Sequence, residues 1–357
     1  MIFAEVCKYA SNYKGNFISS LECLEKYARQ SNKQNEIIYV FPQGAEEKEW
    51  IKELKETHKV FFLPTGRIKE NLTLLKLCRH HKIDIMHVHF YGIISTFLVG
   101  WFCKTKVINH FHNTLDNFNI AKAFILRLLS IPSKRFIGCS KAVYNTLIDN
   151  KFSKIKCSYI TNCIDFSRFD TICDENPFPN NKTNLVILGT DFYRKGVDAA
   201  LKSIEPIHNK YNLCLQIVTH NIPHTKKQVE NVLGSLPDWV NYAFTTEHIG
   251  DYYRNCAIFL SPSLAEGLCY AIPEALYCNC MVLKTNIPAM TYDLTGEEFI
   301  TINSQEELQQ RIEEVFNMDN NEKSLLIESL KEQVCKKYNI NIWGKQVFAL
   351  YEKVYYE

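Results

Sequence analysis

The stretch "AIFLSPSLAEGLCYAIPEALYCNCMVLKT", residues 257–285, joins a strand, a loop, a helix and a second strand in immediate succession. Residues 257–261 have the pattern of a buried strand, and 281–285 that of the next. A helix that begins near Ala271 tolerates Pro273 in its first turn, and Asn279 is a suitable residue at its end. Strand, helix and strand in this order form the repeating unit of a parallel sheet covered by helices.

The same alternation extends through both halves of the chain. Between residues 170 and 183 it stops, and Asn, Asp and Pro accumulate as in a linker. We therefore expect an α/β protein with two Rossmann-like domains, 1–168 and 169–340, facing each other across a cleft; a C-terminal helix, 341–357, could complete the first domain. Strands are predicted at 2–6, 36–41, 60–63, 83–89, 106–111, 135–139, 157–161, 184–189, 213–218, 257–261 and 281–285.

Composition indicates a globular chain without a strongly charged partner. Of 357 residues, 46% are hydrophobic, which is enough for two packed cores. Lys and Arg number 41 against 39 Asp and Glu, so the charge balance gives no reason to expect a nucleic acid. The 14 cysteines are mostly scattered singly, as in reduced cytoplasmic proteins. We expect neither a signal peptide nor a membrane-spanning segment.

Two carboxylates flank the loop of the quoted stretch. Glu266 and Glu274 are eight positions apart, which on one continuous helix would separate them by about 12 Å. This exceeds the roughly 5–9.5 Å between the paired carboxylates of glycosidases. We therefore interpret them as separate acceptors of hydrogen bonds from sugar hydroxyl groups. The alternative is a solvated loop residue and a first-turn residue that favours the helix dipole.

Two cations, Arg194 and Lys195, come just before a helix expected to begin near Val197. Positive charge at a helix N-terminus opposes the helix dipole, so these side chains are poorly placed unless an anion lies there too. A diphosphate would provide that anion, and Gly189 and Gly196 would let the backbone approach it closely. The alternative is a pair of solvated loop cations.

Histidines alternate at the ends of two predicted strands, His87 with His89 and His110 with His112. Such pairs are compatible with packing or hydrogen bonding, and two neighbouring pairs could also form a metal site. No carboxylate or cysteine accompanies them at ligand spacing, and the sequence contains no D-x-D motif. We therefore expect no metal.

Three segments resemble motifs of retaining GT-B glycosyltransferases, notably glycosyltransferase family 4. "SPSLAEGLCYAIPEAL" resembles the E-x7-E region of that family, "GTDFYRKGVD" its phosphate-binding segment, and "ITNCIDFSRF" its entry into the second domain. The three segments occur in the family's order. The resemblance implies a metal-independent glycosyltransferase of hexosyltransferase type that uses a nucleotide-sugar donor and retains anomeric configuration.

The resemblance also implies roles for individual residues. Lys195, helped by Arg194, would contact the donor diphosphate, Glu274 the ribose and Glu266 the transferred sugar. Cys269 and Tyr270 replace the family's usual glycine and leucine, so we expect their bulk to narrow the sugar pocket. The implied donor-binding set is Gly15, Arg194, Lys195, Gly267, Leu268, Cys269 and Glu274, and the implied catalytic set is His112, Lys195 and Glu266.

We expect the protein to transfer a sugar to a glycan or lipid-linked acceptor in bacterial surface polysaccharide synthesis. A UDP-sugar is the expected donor, because members of the resembled family commonly use one. Residues 118–136 interleave an apolar helix with basic residues, which predicts either peripheral contact with the inner face of the membrane or a buried helix. Two other functions fit the same fold: a non-catalytic scaffold subunit of another transferase, and a sugar-nucleotide epimerase.

Overall fold

The computed structural model describes residues 1–115, 119–171, 176–178 and 181–357. The chain divides into two units, one of Met1–Asp165 with Tyr338–Glu357 and one of Phe166–Lys337. Both boundaries lie a few residues before those expected from the sequence. Residues 172–175 and 179–180 of the expected linker lie outside the described residues, as do 116–118, of which 118 is the first residue of the apolar basic stretch.

The first unit contains a sheet of seven parallel strands in the order β3-β2-β1-β4-β5-β6-β7. In the central strands Cys7 pairs with His89, and His89 with His110. The carboxyl ends of β1, β4 and β5 therefore meet at one edge. The strands are β1 (Ile2–Cys7), β2 (Glu36–Pro42), β3 (Lys59–Leu63), β4 (Ile85–His89), β5 (Lys106–Phe111), β6 (Arg135–Gly138) and β7 (Cys157–Tyr159).

A helix from the end of the chain completes the core of this unit. Trp343, Val347 and Tyr351 of α13 pack with Leu21 and Leu24 of α1 and with the central strands in one hydrophobic cluster. Each buried side chain of this size contributes about 1.5–3 kcal/mol. The helices are α1 (Gly15–Ser31), α2 (Glu49–Thr57), α3 (Arg67–His80), α4 (Phe97–Phe102), α5 (Ile120–Leu129), α6 (Lys141–Asp149) and α13 (Ile340–Tyr356).

The second unit has six parallel strands in the order β10-β9-β8-β11-β12-β13. The stretch at residues 257–285 forms β11, a loop, α10 and β12, as its pattern predicts. The strands are β8 (Thr183–Leu188), β9 (Leu213–Thr219), β10 (Val240–Phe244), β11 (Ile258–Ser261), β12 (Met281–Thr285) and β13 (Thr301–Ile302); the helices are α7 (Val197–Ile204), α8 (Ile222–Leu233), α9 (Ile249–Asn255), α10 (Ala271–Tyr277), α11 (Leu308–Asn317) and α12 (Asn320–Lys337).

Two strands, β10 and β13, were not expected from the sequence. Both lie at sheet edges, where β10 is largely half-buried and β13 is only two residues long. Edge strands of this kind lack the continuous apolar run that marks a buried parallel strand. All cysteines within the described ranges are free thiols. Across those ranges, every helix is too short or too polar to cross a bilayer.

Candidate active site

The loop after β8 carries the two predicted phosphate-contacting cations and ends at Gly196. This residue has a φ of +71° and directly precedes α7. A Cβ atom at Gly196 would collide with the carbonyl oxygen of Pro262, which follows β11. The loops after two adjacent strands therefore touch each other, and the close approach requires glycine.

Glu266 forms an ion pair with both cations of this loop. Its Oε1 lies 2.6 Å from Nζ of Lys195, and its Oε2 lies 3.4 Å from Nη1 of Arg194. The Glu266 side chain is only 9% exposed and that of Lys195 15%. Arg194 is further held by the Asp191 carboxylate at 2.7 Å and by the carbonyl oxygen of Ala265 at 2.8 Å.

The position of Glu266 changes the interpretation of the two cations. The sequence suggested that an external anion must offset positive charge in front of α7, but here a carboxylate of the chain does so. The alternative of two solvated loop cations is wrong for Lys195, whose side chain is largely buried. An anion with more charge than one carboxylate could take the place of Glu266 beside both cations.

Glu274 lies in the first turn of α10 and is buried. Gly267 and Leu268 are partly exposed in the preceding loop, whereas Cys269 is buried. The Cys269 thiol lies 3.7 Å from the hydroxyl of Ser261, and burial raises its pKa. The Cys269 side chain thus packs into the interior, whereas Tyr270 is half-buried, and the narrowing of the sugar pocket by these two residues stays a prediction.

In the first unit, His112 belongs to a chain of hydrogen bonds that reaches a buried carboxylate. The ionised carboxylate of Glu5 can only accept, so Nε2 of His89 carries the proton and donates it across 3.1 Å. Nδ1 of His89 then accepts from Nε2 of His112 at 3.2 Å. Nδ1 of His112 in turn accepts from the side-chain amide of Asn162 at 3.1 Å. Both ring nitrogens of His112 are therefore engaged by the protein.

Two further residues complete the surroundings of Glu5. The hydroxyl group of Tyr351 in α13 donates to Oε1 of Glu5. Nδ1 of His87 lies 2.5 Å from the Tyr351 oxygen and donates to it. His87 therefore has its proton on Nδ1, whereas His89 and His112 have theirs on Nε2.

Burial and neighbouring charge set the ionisation of this cluster. Burial alone would raise the pKa of Glu5, but its electrostatic interaction with His87 and hydrogen bonds from His87 and His89 lower it to about 2. Burial and then His87 lower the pKa of His89 to about 4. Burial, followed by the other histidines, also lowers the pKa values of His110 and His112 well below the usual range. At neutral pH these three imidazoles are uncharged.

The histidine cluster also has the composition of a metal site. Ring nitrogens of His87, His89 and His110 lie within 4.8 Å of one another, and neutral imidazoles can act as ligands. A carboxylate from a distant part of the sequence joins them, because Oε2 of Glu5 in β1 lies 3.1 Å from Nε2 of His89. Both nitrogens of His89 are already hydrogen bonded, however. An ion held by all three residues would break one of those bonds.

The other predicted residue of the first unit is Gly15, the first residue of α1. It has a φ of +57°, and a Cβ there would approach the hydroxyl of Tyr9 to 2.9 Å. Gly15 and His112 thus belong to the first unit, and Arg194, Lys195, Glu266 and Glu274 to the second.

Sequence reasoning missed Glu5, Tyr351 and Asp191. Glu5 could have been recognised from the sequence, because a single carboxylate inside the apolar strand "IFAEVC" needs hydrogen-bonding partners when it is buried. Tyr351 could not have been recognised, since its contact with Glu5 joins residues that are 346 positions apart in the sequence.

Family models match most of the chain. The model described as Glycosyltransferase Family 4 matches residues 26–168, and the model described as Glycosyl transferases group 1 matches residues 182–318. A curated relative is the capsular polysaccharide biosynthesis glycosyltransferase CapH of Staphylococcus aureus, which is 24% identical over 243 residues. That match covers 64% of this chain and 66% of CapH, just under two thirds of its length.

Solved structures resemble the chain over almost its whole length. A glycosyltransferase from Rickettsia africae matches with a TM-score of 0.80 at 16% identity, covering 99% of this chain and 98% of its own. HepE from Anabaena in complex with UDP matches with a TM-score of 0.77 at 13% identity, covering 99% and 100%. At these identities the similarity establishes a shared fold.

Proposed function

Because the chain belongs to the glycosyl transferases group 1 of glycosyltransferase family 4 and has their GT-B fold of two Rossmann-like domains, we propose that it transfers a sugar from a UDP-sugar to a glycan or lipid-linked acceptor, with retention of anomeric configuration. The capsular polysaccharide relative supports a role in bacterial surface polysaccharide synthesis, and for such a role we propose that the enzyme works in the cytoplasm. UDP bound to HepE supports the choice of donor.

The observation that carries this proposal is the pair of ionic contacts between Glu266 and the cations of the loop after β8. Lys195 and Arg194 are held near one another by a single carboxylate. In the proposed reaction the donor diphosphate replaces Glu266 beside them, and Glu266 turns to the hydroxyl groups of the sugar. Glu274 binds the ribose, and backbone N–H groups of residues 267–269 contact the donor.

Catalysis then depends on charge stabilisation at the leaving group. Lys195 and Arg194 stabilise the negative charge that develops on the departing diphosphate, which removes the need for a metal there. A phosphate oxygen of the leaving group accepts the proton of the acceptor hydroxyl. His112, neutral and held through both nitrogens, acts as a positioning residue of the first unit rather than as a base that removes a proton.

Donor binding and transfer test this proposal. Wild-type protein is screened by thermal shift against UDP-, GDP-, ADP- and dTDP-sugars, since a ligand at a hundredfold excess over its Kd stabilises the fold by about 2.7 kcal/mol. The variants Lys195→Ala and Glu274→Ala should lose donor binding and transfer. Lys202→Ala, an exposed lysine of α7, is the matched control. Unchanged transfer in both site variants would overturn the assignment.

We also propose that the first unit contacts the membrane surface through α5. The alternative of a buried helix is wrong, because Phe124, Ile125 and Leu128 are 58%, 50% and 49% exposed while Ala123 and Leu126 face the interior. Basic residues Lys122 and Arg127 lie on the same helix. An exposed apolar face with flanking cations suits the headgroup region of an anionic bilayer.

A further inference from the structure

A cavity of about 420 Å³ opens in the first unit at the carboxyl ends of β1, β4 and β5. Lys8 lines it directly after β1, residues 90–95 line it after β4, and residues 110–115 line it at the end of β5. The remaining wall comes from α3 and α5. Ligands of parallel α/β sheets bind at this edge, so the cavity is suitably placed for a substrate.

The charged residues that the structure describes in the cavity wall are all cations. They are Lys8, Arg67 and Lys122, and no carboxylate lines the cavity within the described residues. Lys8 and Arg67 are exposed, and neither forms an ion pair with any carboxylate in the described ranges. Glu70, which after burial helps raise the pKa of Tyr91, does not line the cavity.

The other titratable groups of the described wall add no negative charge beside Lys8 and Arg67. His110 and His112 are neutral at pH 7, because burial lowers their pKa values. Tyr91 remains a neutral phenol, with Nζ of Lys8 located 5.8 Å from its ring centroid. A cavity whose described wall carries cations and no carboxylate attracts an anion, and the guanidinium group of Arg67 suits the paired oxygens of a phosphate.

We propose that this cavity binds a phosphate group of the acceptor. The inference rests on the proposed transferase function, for which it specifies the chemistry of the second substrate. Helix α5 contributes Lys122 and Leu126 to the cavity and exposes Phe124, Ile125 and Leu128 on another side. A phosphate attached to a hydrocarbon chain would use both surfaces, whereas a sugar phosphate would use the cavity alone.

Calorimetric titration of the full-length protein tests the proposal. The protein is first saturated with UDP, so that the loop of Lys195 is already occupied, and then titrated with farnesyl phosphate, glucose 1-phosphate or uncharged farnesol. The test variant is Lys8→Ala with Arg67→Ala, and the control is Lys69→Ala, an exposed lysine of α3 that does not line the cavity. Thermal melting of each variant checks that the fold is intact.

The double variant should bind the phosphate ligand at least about tenfold more weakly, because two charge-assisted contacts are lost, while the control binds as the wild type does. Tighter binding of farnesyl phosphate than of glucose 1-phosphate identifies a lipid-linked source, and the reverse identifies a soluble one. Farnesol binding as tightly as farnesyl phosphate, or equal phosphate binding by wild type and double variant, would overturn the proposal. If UDP itself does not bind, the proposed function fails instead.

Discussion

Nε2 of His112 lies 3.2 Å from Nδ1 of His89, and this hydrogen bond connects the edge of the first sheet to the carboxylate of Glu5. Because that carboxylate can only accept, it fixes which atom donates and which accepts in each of the hydrogen bonds from Glu5 to Asn162. His112 is therefore oriented by a residue on a strand that it does not pair with. A carboxylate that orients a histidine through an intermediate group is a familiar way to fix a tautomer.

The tautomers can be measured directly. In protein labelled with ¹⁵N-histidine, long-range proton–nitrogen spectra at pH 7 should show His89 and His112 protonated on Nε2 and His87 on Nδ1. Single His→Gln variants assign the signals. A proton on Nδ1 of His112 would contradict the hydrogen-bond directions that lead from Glu5 to Asn162.

Acid should destabilise the first unit. His89, His110 and His112 have pKa values in the fold below the value of about 6.5 in an unfolded chain. As the pH falls below 6.5, the unfolded chain takes up protons that the folded chain does not, so stability decreases. For His89, whose pKa is about 4, the loss between these values is on the order of 3 kcal/mol. The lowered pKa of Glu5 acts in the same direction between pH 4.5 and about 2.

Urea denaturation at pH 7, 6 and 5 measures this effect. A Trp239→Phe background leaves Trp50, Trp101 and Trp343, all in the first unit, as the fluorescent reporters. In that background His110→Phe should show a shallower dependence on pH, whereas His224→Gln, an exposed histidine of α8, should not. A free energy of unfolding that is constant between pH 7 and 5 would contradict the prediction.

Glu266→Gln should separate donor affinity from transfer. Removing the carboxylate frees Lys195 and Arg194 from their internal partner, so UDP should bind severalfold more tightly. Transfer should nevertheless fall, because the carboxylate no longer binds the sugar. Calorimetry with UDP and a transfer assay provide the two measurements, with the exposed Glu298→Gln as control. Weaker UDP binding would mean that Glu266 positions the cations rather than competing for them.

Gly196→Ala should destabilise the second unit through two effects. A side chain at a φ of +71° is strained, and its Cβ would also collide with the Pro262 carbonyl. Gly234 has a φ of +76° but open space around it, so Gly234→Ala isolates the strain, which costs about 1–2 kcal/mol. Thermal unfolding should show a larger loss for Gly196→Ala. Equal losses would indicate that the Pro262 loop moves aside freely.

The apolar face of α5 should determine binding to membranes. In sedimentation with vesicles of phosphatidylglycerol and phosphatidylcholine, Phe124→Ser with Ile125→Ser should weaken binding by at least about tenfold, since each buried side chain contributes about 1.5–3 kcal/mol. Leu325→Ser removes a similarly exposed side chain from α12 and should have no effect. Equal sedimentation of the double variant and the wild type would show that this face is not the surface that binds membranes.

The sequence predicted the parallel sheets well because continuous apolar runs mark buried strands, and β5 and β12 have the bounds expected. It also placed Arg194 and Lys195 in the loop before α7. It could not predict that Glu266 neutralises them, because that contact depends on how two loops after adjacent strands approach each other. The sequence also could not predict where the Cys269 side chain points, because its packing against Ser261 decides this and its residue type does not.

The contact between Glu5 and Tyr351 has a consequence for biosynthesis. A ribosome makes Glu5 before the second unit, but Tyr351 emerges only after the entire second unit has been translated. Until then the central carboxylate of the first sheet lacks one of its partners, and Trp343 and Val347 are missing from the adjoining core. The first unit therefore stays incomplete while the second is being made, and during that time the nascent chain depends on a chaperone to shield that face.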